Sequence, residues 1–148
     1  MTSPHTNTSP AVARTMTTWH RMITDSDLSN LATIVHPDAV FRSPMAVTPY
    51  ASRDALMLAL TTVSHVLQDF AYHRQFATAD GNDVVLEFSA RVGDRTLKGV
   101  DVIRFDDDGL IVEFEVMIRP LSGLQALGAE MGARLGAALP AFKQVPLP

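Results

Sequence analysis

The chain has no cysteine, one tryptophan and few basic residues, and these shortages exclude several classes of protein. Without cysteine there is no disulfide and no thiolate metal site, which is typical of a reducing compartment, so we expect a cytoplasmic location. The 12 lysines and arginines are scattered among 16 acidic residues, and the net charge of −4 offers no patch for a nucleic-acid backbone. No apolar run approaches the roughly 18 to 20 residues that span a bilayer. We therefore expect neither a nucleic-acid nor a membrane partner.

Length and terminal composition indicate a single domain. A chain of 148 residues can bury one sizeable core. Residues 1–10 have neither the basic segment nor the apolar segment of a secretion signal, and we interpret them as a disordered tail. We expect one domain over residues 11–140 and a short C-terminal tail over 141–148.

Hydrophobic periodicity predicts helices first, then consecutive hairpins, then a closing helix. Apolar spacings of three and four predict the helices, and alternation between turn signals such as "ADGND" and "DDDG" predicts the strands. The predicted elements are helices over 11–22 and 28–35, a strand over 39–44, a helix over 53–67, strands over 70–78, 84–92, 99–105 and 110–118, and a helix over 121–139. This order is typical of an α+β domain in which three or four helices cover the concave face of a curved antiparallel sheet.

Asp101 interrupts the apolar pattern of its predicted strand. Because side chains alternate between faces, Asp101 shares a face with Ile103 and Phe105. It is either the working carboxyl of a pocket or the cross-strand partner of a nearby arginine. In a buried, unpaired position its pKa would rise, since desolvation disfavours the charged form. Its expected polar neighbours are the indole of Trp19 and the hydroxyl of Ser43.

Three segments carry a family resemblance: "DLSNLATIVHPDAVFRSP" at 27–44, "GVDVIRFDDDGLIVEFEVMI" at 99–118, and the strand over 84–92. They resemble the nuclear transport factor 2-like superfamily. Its members include SnoaL-like polyketide cyclases, ketosteroid isomerases, limonene epoxide hydrolases and scytalone dehydratases. The resemblance implies a cone-shaped α+β fold and a small apolar molecule as partner.

The resemblance to ketosteroid isomerases also implies roles for single residues. The buried aspartate of that family's oxyanion hole falls on Asp101, its tyrosine on Trp19, and its general base on Ser43. Trp19 keeps one N–H donor, whereas serine cannot replace a carboxylate base. The epoxide hydrolase pattern is absent, since its Arg-x-Asp pair and second aspartate fall on 86–88 and on Val116.

Strand parity and the resemblance together predict a mostly apolar pocket with Asp101 as its catalytic acid or base. The expected lining residues are Trp19, Ile23, Phe41, Ser43, Met45, Leu56, Leu60, Leu86, Phe88, Ile103, Phe114, Val116 and Ile118, and all except Ile23 and Leu56 are assigned to substrate binding. Histidine spacing does not indicate a metal site, and we expect no cofactor. A histidine base, if the chemistry uses one, would be His20 or His73.

The outer face of the predicted sheet is half polar. It carries Val100, Val102, Glu113, Glu115 and Met117. Cross-strand ion pairs with Arg91 and Arg104 explain the two glutamates better than a catalytic pair does. The apolar share of this face predicts a homodimer through the sheet.

Glycine recurs every four residues in the last predicted helix, at Gly128, Gly132 and Gly136. Each glycine costs about 0.5 to 1 kcal/mol relative to alanine, which predicts close packing of that side of the helix. The opposite side would cap the pocket with Leu124, Leu127, Met131 and Leu135.

Three functions remain open at this point. The first is a SnoaL-like enzyme of the cyclase, isomerase, dehydratase or hydrolase type that uses Asp101 on an apolar substrate. The alternatives are a binding module for a hydrophobic molecule and a dimeric scaffold with a vestigial pocket. In the first two cases, replacing Asp101 by asparagine or leucine should abolish ligand binding or turnover and keep or raise the Tm.

Overall fold

The computed structural model describes residues 7–136, which form three α-helices, one 3-10 turn and a five-stranded sheet. The elements in chain order are α1 (Pro10–Thr24), the 3-10 turn (Leu31–Ile34), β1 (Val35–Arg42), α2 (Arg53–Val66), β2 (Gln68–Ala77), β3 (Asp83–Val92), β4 (Arg95–Phe105), β5 (Ile111–Arg119) and α3 (Leu121–Leu135). None of these helices is long and apolar enough to cross a membrane. The predicted α+β class is confirmed.

The sheet is curved, unclosed and mixed, with strand order β1-β5-β4-β3-β2. Strands β2 to β5 form the predicted antiparallel meander, whereas β1 runs parallel to β5. A hairpin forces its strands to be antiparallel, but α2 and three strands separate β1 from β5, so no turn sets their relative direction. Register shifts interrupt the β1–β5, β2–β3 and β4–β5 pairs, and such bulges bend strands.

The second predicted helix, over 28–35, is wrong. Only a 3-10 turn forms there, and β1 begins at Val35 and continues through Pro37. Proline lacks an N–H donor and is tolerated at the edge of a sheet or at a bulge. Pro37 meets both conditions, because β1 is an edge strand and its register shifts between Val35 and Val40.

Helix α1 begins at a defined cap. The Ser9 hydroxyl accepts a hydrogen bond from the Val12 N–H at 3.3 Å, and Pro10 occupies the first turn, where a missing N–H costs nothing. Upstream, the Asn7 side chain donates to the Ala79 carbonyl at 3.0 Å. The rest of the predicted N-terminal tail, residues 1–6, lies outside the described residues, as do the end of the last predicted helix and the tail over 141–148.

Burial follows strand parity, so the helices cover the inner face of the sheet. Alternate residues of β3, namely Val84, Leu86, Phe88 and Ala90, are buried as predicted. Helix α1 contributes Val12, Met16, Trp19 and Met22 to the same core. The inner face is therefore the one on which a cavity can be enclosed.

The outer face carries cross-strand ion pairs. Arg104 lies 3.0 Å from Asp83 and 4.0 Å from Glu113, which confirms the predicted pairing of Glu113. Arg91 instead pairs with Asp69 at 2.6 Å. The prediction for Arg91 was wrong because β3 has β4 and β2 as neighbours, and β5 lies one strand further away.

Candidate functional site

A cavity of about 810 Å³ lies between the inner face of the sheet, the three α-helices and the loop after β1. Its volume is in the range of small-molecule sites, and its walls are mostly apolar. The predicted pocket residues that line it are Trp19, Ile23, Phe41, Ser43, Met45, Leu60, Phe88, Asp101, Phe114, Val116 and Ile118. Their role in substrate binding stays a prediction.

Three other predicted pocket residues do not line the cavity. Leu56, Leu86 and Ile103 are at most 1% exposed and belong to the packed core with Val12 and Met16 of α1. Parity placed Leu86 and Ile103 on the correct face. Parity could not show that a helix packs over this part of the inner face, so that the cavity lies beside the remaining part.

Asp101 lies in the middle of β4, between Leu86 of β3 and Val116 of β5, and is 6% exposed. Its Oδ2 accepts a hydrogen bond from the Tyr72 hydroxyl at 2.6 Å. Within residues 7–136 it forms no ion pair, so the interpretation as a partner of an arginine is not supported. Asp101 is a buried carboxyl in the wall of the cavity.

Trp19 and Ser43 were predicted as the polar neighbours of Asp101, but neither is hydrogen-bonded to it. The Trp19 indole donates to the Tyr72 hydroxyl at 3.0 Å, so Tyr72 stands between the indole and the carboxyl. The Ser43 hydroxyl accepts from the Met45 N–H at 3.0 Å, within its own loop. The direct partner of the carboxyl is thus a residue that sequence reasoning missed.

Tyr72 reaches Asp101 from β2, across the intervening strand β3. It pairs with Phe88 in register, and its ring contacts Phe70 edge-on with centroids 4.8 Å apart. The available signal was the alternation of two aromatic residues, Phe70 and Tyr72, with Ala71 and His73. That alternation puts Tyr72 on an aromatic face but does not give its distance from Asp101.

Burial raises the pKa values of both Asp101 and Tyr72. Desolvation raises the pKa of Asp101 to about 7, and the hydrogen bond from Tyr72 opposes this rise. Burial also raises the pKa of Tyr72 well above its usual value, and the neighbouring Asp101 charge adds to the effect. Tyr72 is therefore a neutral donor at neutral pH, while Asp101 is present in both forms. Such a carboxyl can donate a proton or accept one.

The structure separates the two candidate histidines. His20 lines the cavity, meets the Tyr72 ring edge-on with centroids 5.4 Å apart, and has Nε2 3.4 Å from Oε1 of Gln75. His73 does not line the cavity, and its Nε2 lies 2.7 Å from Oγ of Ser89. Across the described residues no group of three or more acidic or histidine side chains could hold a metal ion.

Helix α3 forms part of the cavity wall. Leu127, Met131 and Leu135 of the predicted stripe line the cavity, whereas Leu124 does not. The predicted close packing of glycine holds at Gly128, where an added Cβ would lie 2.6 Å from Cε of Met45. At Gly132 an added Cβ would meet nothing within 4 Å, so close packing does not explain that glycine.

Comparison with known proteins gives one family. Residues 16–114 match the model of the SnoaL-like domain, whereas no curated protein matches. The chain is 61% identical to a solved structure described as a steroid delta-isomerase from Pseudomonas aeruginosa, with a TM-score of 0.86 and coverage of 90% of this chain and 97% of that one. It is 30% identical to a protein with a cystatin-like fold from Silicibacter pomeroyi, with a TM-score of 0.77 and 93% of each chain covered.

A more distant structure shows the fold alone. An NTF2-like protein from Mesorhizobium loti has 18% identity and a TM-score of 0.65, with 76% of this chain and 93% of that one covered. The fold, the extent of the family match and the similarity to the Pseudomonas aeruginosa protein all lead to the same family assignment. The chain belongs to the SnoaL-like domain family.

Proposed function

We propose that this protein is a cofactor-independent isomerase that acts on an apolar, carbonyl-bearing small molecule and uses protonated Asp101 as the hydrogen-bond donor to the carbonyl oxygen. The observation that carries the proposal is a carboxyl with a pKa of about 7 in the wall of an apolar cavity of about 810 Å³. The 61% identical relative, described as a steroid delta-isomerase, supports this reaction type and a substrate of fused apolar rings.

The chemistry requires a donor for the carbonyl oxygen and a base for a carbon-bound proton. When the base removes the proton next to the carbonyl, negative charge develops on the oxygen, and protonated Asp101 stabilises it by a hydrogen bond. Return of the proton to a more distant carbon moves the double bond and regenerates the base. Ser43 cannot be this base, and we assign the role to His20, which lines the same cavity.

Turnover of a β,γ-unsaturated ketosteroid tests the proposal, because the conjugated product has a distinct ultraviolet absorbance. We expect Asp101→Leu to lower kcat about 10²- to 10³-fold, the usual loss of one oxyanion donor, and His20→Gln to lower it as well. Val47→Ala is the control, since Val47 is 96% exposed on the same loop as Met45 and does not line the cavity. If the wild type turns the ketosteroid over and Asp101→Leu has the same kcat, the role assigned to Asp101 is contradicted.

A binding module is the second candidate, and Ser43 at the position of the family base favours it. Trp19 is the single tryptophan and lines the cavity, so its fluorescence reports binding without a label. A saturable change in that fluorescence with the ketosteroid, without conversion to product, would favour the binding module over the enzyme. The cavity favours both ligand-based functions over the scaffold alternative.

A further inference from the structure

The hydrogen bonds that join Trp19, Tyr72 and Asp101 have one direction that satisfies all three groups. An indole N–H can only donate, so the Tyr72 oxygen must accept at the 3.0 Å contact with Nε1 of Trp19. The one hydroxyl proton of Tyr72 is then free to donate to Oδ2 of Asp101 at 2.6 Å. This direction is favoured because, among residues 7–136, the Tyr72 proton has no other acceptor.

This direction decides which oxygen of Asp101 carries a proton. Oδ2 is occupied as an acceptor, so a proton on the carboxyl belongs to Oδ1. Within residues 7–136 the one enclosed side-chain polar atom without a hydrogen-bond partner is Nε of Arg53, so Oδ1 is not sealed in the protein. Because Asp101 lines the cavity, Oδ1 is the oxygen available to a ligand.

We propose that Trp19 is a positioning residue that fixes the direction of this hydrogen-bond chain and so directs the proton of Asp101 to Oδ1, toward a bound ligand. The catalytic meaning of this inference rests on the proposed function, but the positioning itself does not require turnover. Trp19 acts through Tyr72 and does not touch the reacting atoms.

Loss of the indole N–H would release the constraint. The Tyr72 hydroxyl could then rotate away and accept a proton from Oδ2, which would turn the acidic proton of Asp101 away from the cavity. When Asp101 is ionised, Tyr72 would also be a weaker donor, because a hydrogen bond accepted by a hydroxyl strengthens the one it donates. The carboxylate would be less stabilised, and Asp101 would titrate at higher pH.

The titration of Asp101 must be distinguished from that of other ionisable groups near the hydrogen-bond chain. His20, Tyr50 and Asp69 also line the cavity, and His20 contacts the Tyr72 ring. Asp69 is paired with Arg91 at the surface. Among the described residues, no titratable side chain from α2, α3, β1, β3 or β5 lines the cavity. The titrations therefore use a His20→Gln background, whereas turnover is measured in proteins that keep His20.

The single indole makes the coupling directly observable. In the full-length protein without ligand, the Nε1–H resonance of Trp19 should titrate with a midpoint near the Asp101 pKa of about 7. Asp101→Asn should abolish this titration, because an amide does not ionise. Tyr72→Phe should also abolish it, because the connection is lost. An indole resonance that still titrates in Tyr72→Phe would overturn the proposal.

Trp19→Phe tests the effect on the carboxyl itself. We expect the ¹³C titration of the Asp101 side chain to move to higher pH and, where turnover is measurable, kcat to fall more than KM changes. Met16→Ala is the matched control, since Met16 is buried on the same helix and does not line the cavity. It should lower the Tm without moving the titration.

The outcomes distinguish the two proposals. If the Trp19 resonance follows the ionisation of Asp101 but the protein shows no turnover, the proposed enzyme activity is refuted and the positioning role of Trp19 is upheld. An unchanged Asp101 titration in Trp19→Phe would refute the positioning even if the protein is an isomerase. If Trp19→Phe does not fold, the indole titrations of the Tyr72→Phe and Asp101→Asn variants still decide the question, because both keep Trp19.

Discussion

The hydroxyl of Tyr72 donates to Oδ2 of Asp101 over 2.6 Å and is the one hydrogen-bond partner of that carboxyl within residues 7–136. The two residues come from strands that are not neighbours, and Trp19 on α1 binds the same hydroxyl. The sheet and the first helix are thus joined through one tyrosine at the wall of the cavity.

Asparagine and leucine at position 101 should differ in stability. Asparagine keeps an oxygen that accepts from Tyr72, whereas leucine leaves a buried hydroxyl without an acceptor, which costs about 1 to 3 kcal/mol. We expect Asp101→Leu to be less stable than Asp101→Asn by this amount in urea unfolding at about pH 5, where wild-type Asp101 is neutral. Equal stabilities would show that Tyr72 finds another acceptor. The sequence alone had predicted the same outcome for both variants.

The stability of the wild type should fall as pH rises toward neutrality. The pKa of Asp101 is 3.8 in a model peptide and about 7 in the fold, so the folded state binds the proton more tightly. The stability linked to this proton is complete below about pH 4 and is lost as pH rises through about 7, on the order of 4 kcal/mol in total. Asp101→Asn should lack this slope in unfolding measurements between about pH 5 and pH 8. A parallel slope in the variant would contradict the raised pKa.

Glu87 should contribute stability in the opposite pH range. Hydrogen bonding from Arg74 lowers its pKa from 4.5 to about 2 against the effect of burial, and Lys98 lies 3.3 Å away. This contribution is present above about pH 4.5 and is lost as pH falls through about 2. Glu87→Gln should therefore lower the Tm at neutral pH and converge with wild type in acid. Glu130→Gln is the control, because its ion pair with Arg134 is exposed on α3.

Replacing two glycines of α3 by alanine, one at a time, should distinguish the effect of packing on stability from the effect of helix propensity. Gly132→Ala meets no atom within 4 Å and should raise the free energy of unfolding by about 0.5 to 1 kcal/mol. Gly128→Ala adds a methyl group 2.6 Å from Cε of Met45, so Met45 must move within the cavity wall. We expect a smaller stability gain and an altered ligand affinity by tryptophan fluorescence. Identical behaviour of the two variants would show that the Met45 contact has no consequence.

A homodimer through the outer face of the sheet stays a prediction. Met117 is 50% exposed there, in register with the partly buried Val100. Light scattering at micromolar concentration should give a dimer, and Met117→Glu should give a monomer because it would bury a charge at the interface. Val47→Lys is the control, since Val47 is exposed on the loop after β1. A monomeric wild type would refute the prediction.

Local patterns in the sequence determined the fold class and the face on which Asp101 lies. Side-chain alternation has a period of two within each strand, and hairpin turns set antiparallel neighbours, so Asp101 could be assigned to the inner face from residues 99 to 118 alone. The amphipathic pattern of α1 likewise placed Trp19 toward the core. These features depend on neighbours in the chain, which the sequence shows directly.

Only the tertiary structure decided what Asp101 touches and where the cavity lies. The Tyr72 contact depends on the register of β2 against β3, which a bulge between Tyr72 and Gln75 shifts, and on the reach of a side chain across an intervening strand. Leu86 and Phe88 share a face by parity, yet only Phe88 lines the cavity, because Leu86 packs in the core cluster with α1 whereas Phe88 packs in a second cluster with Leu127, which also lines the cavity. Alternation fixes a side chain's face, whereas its neighbours depend on distances between segments far apart in the chain.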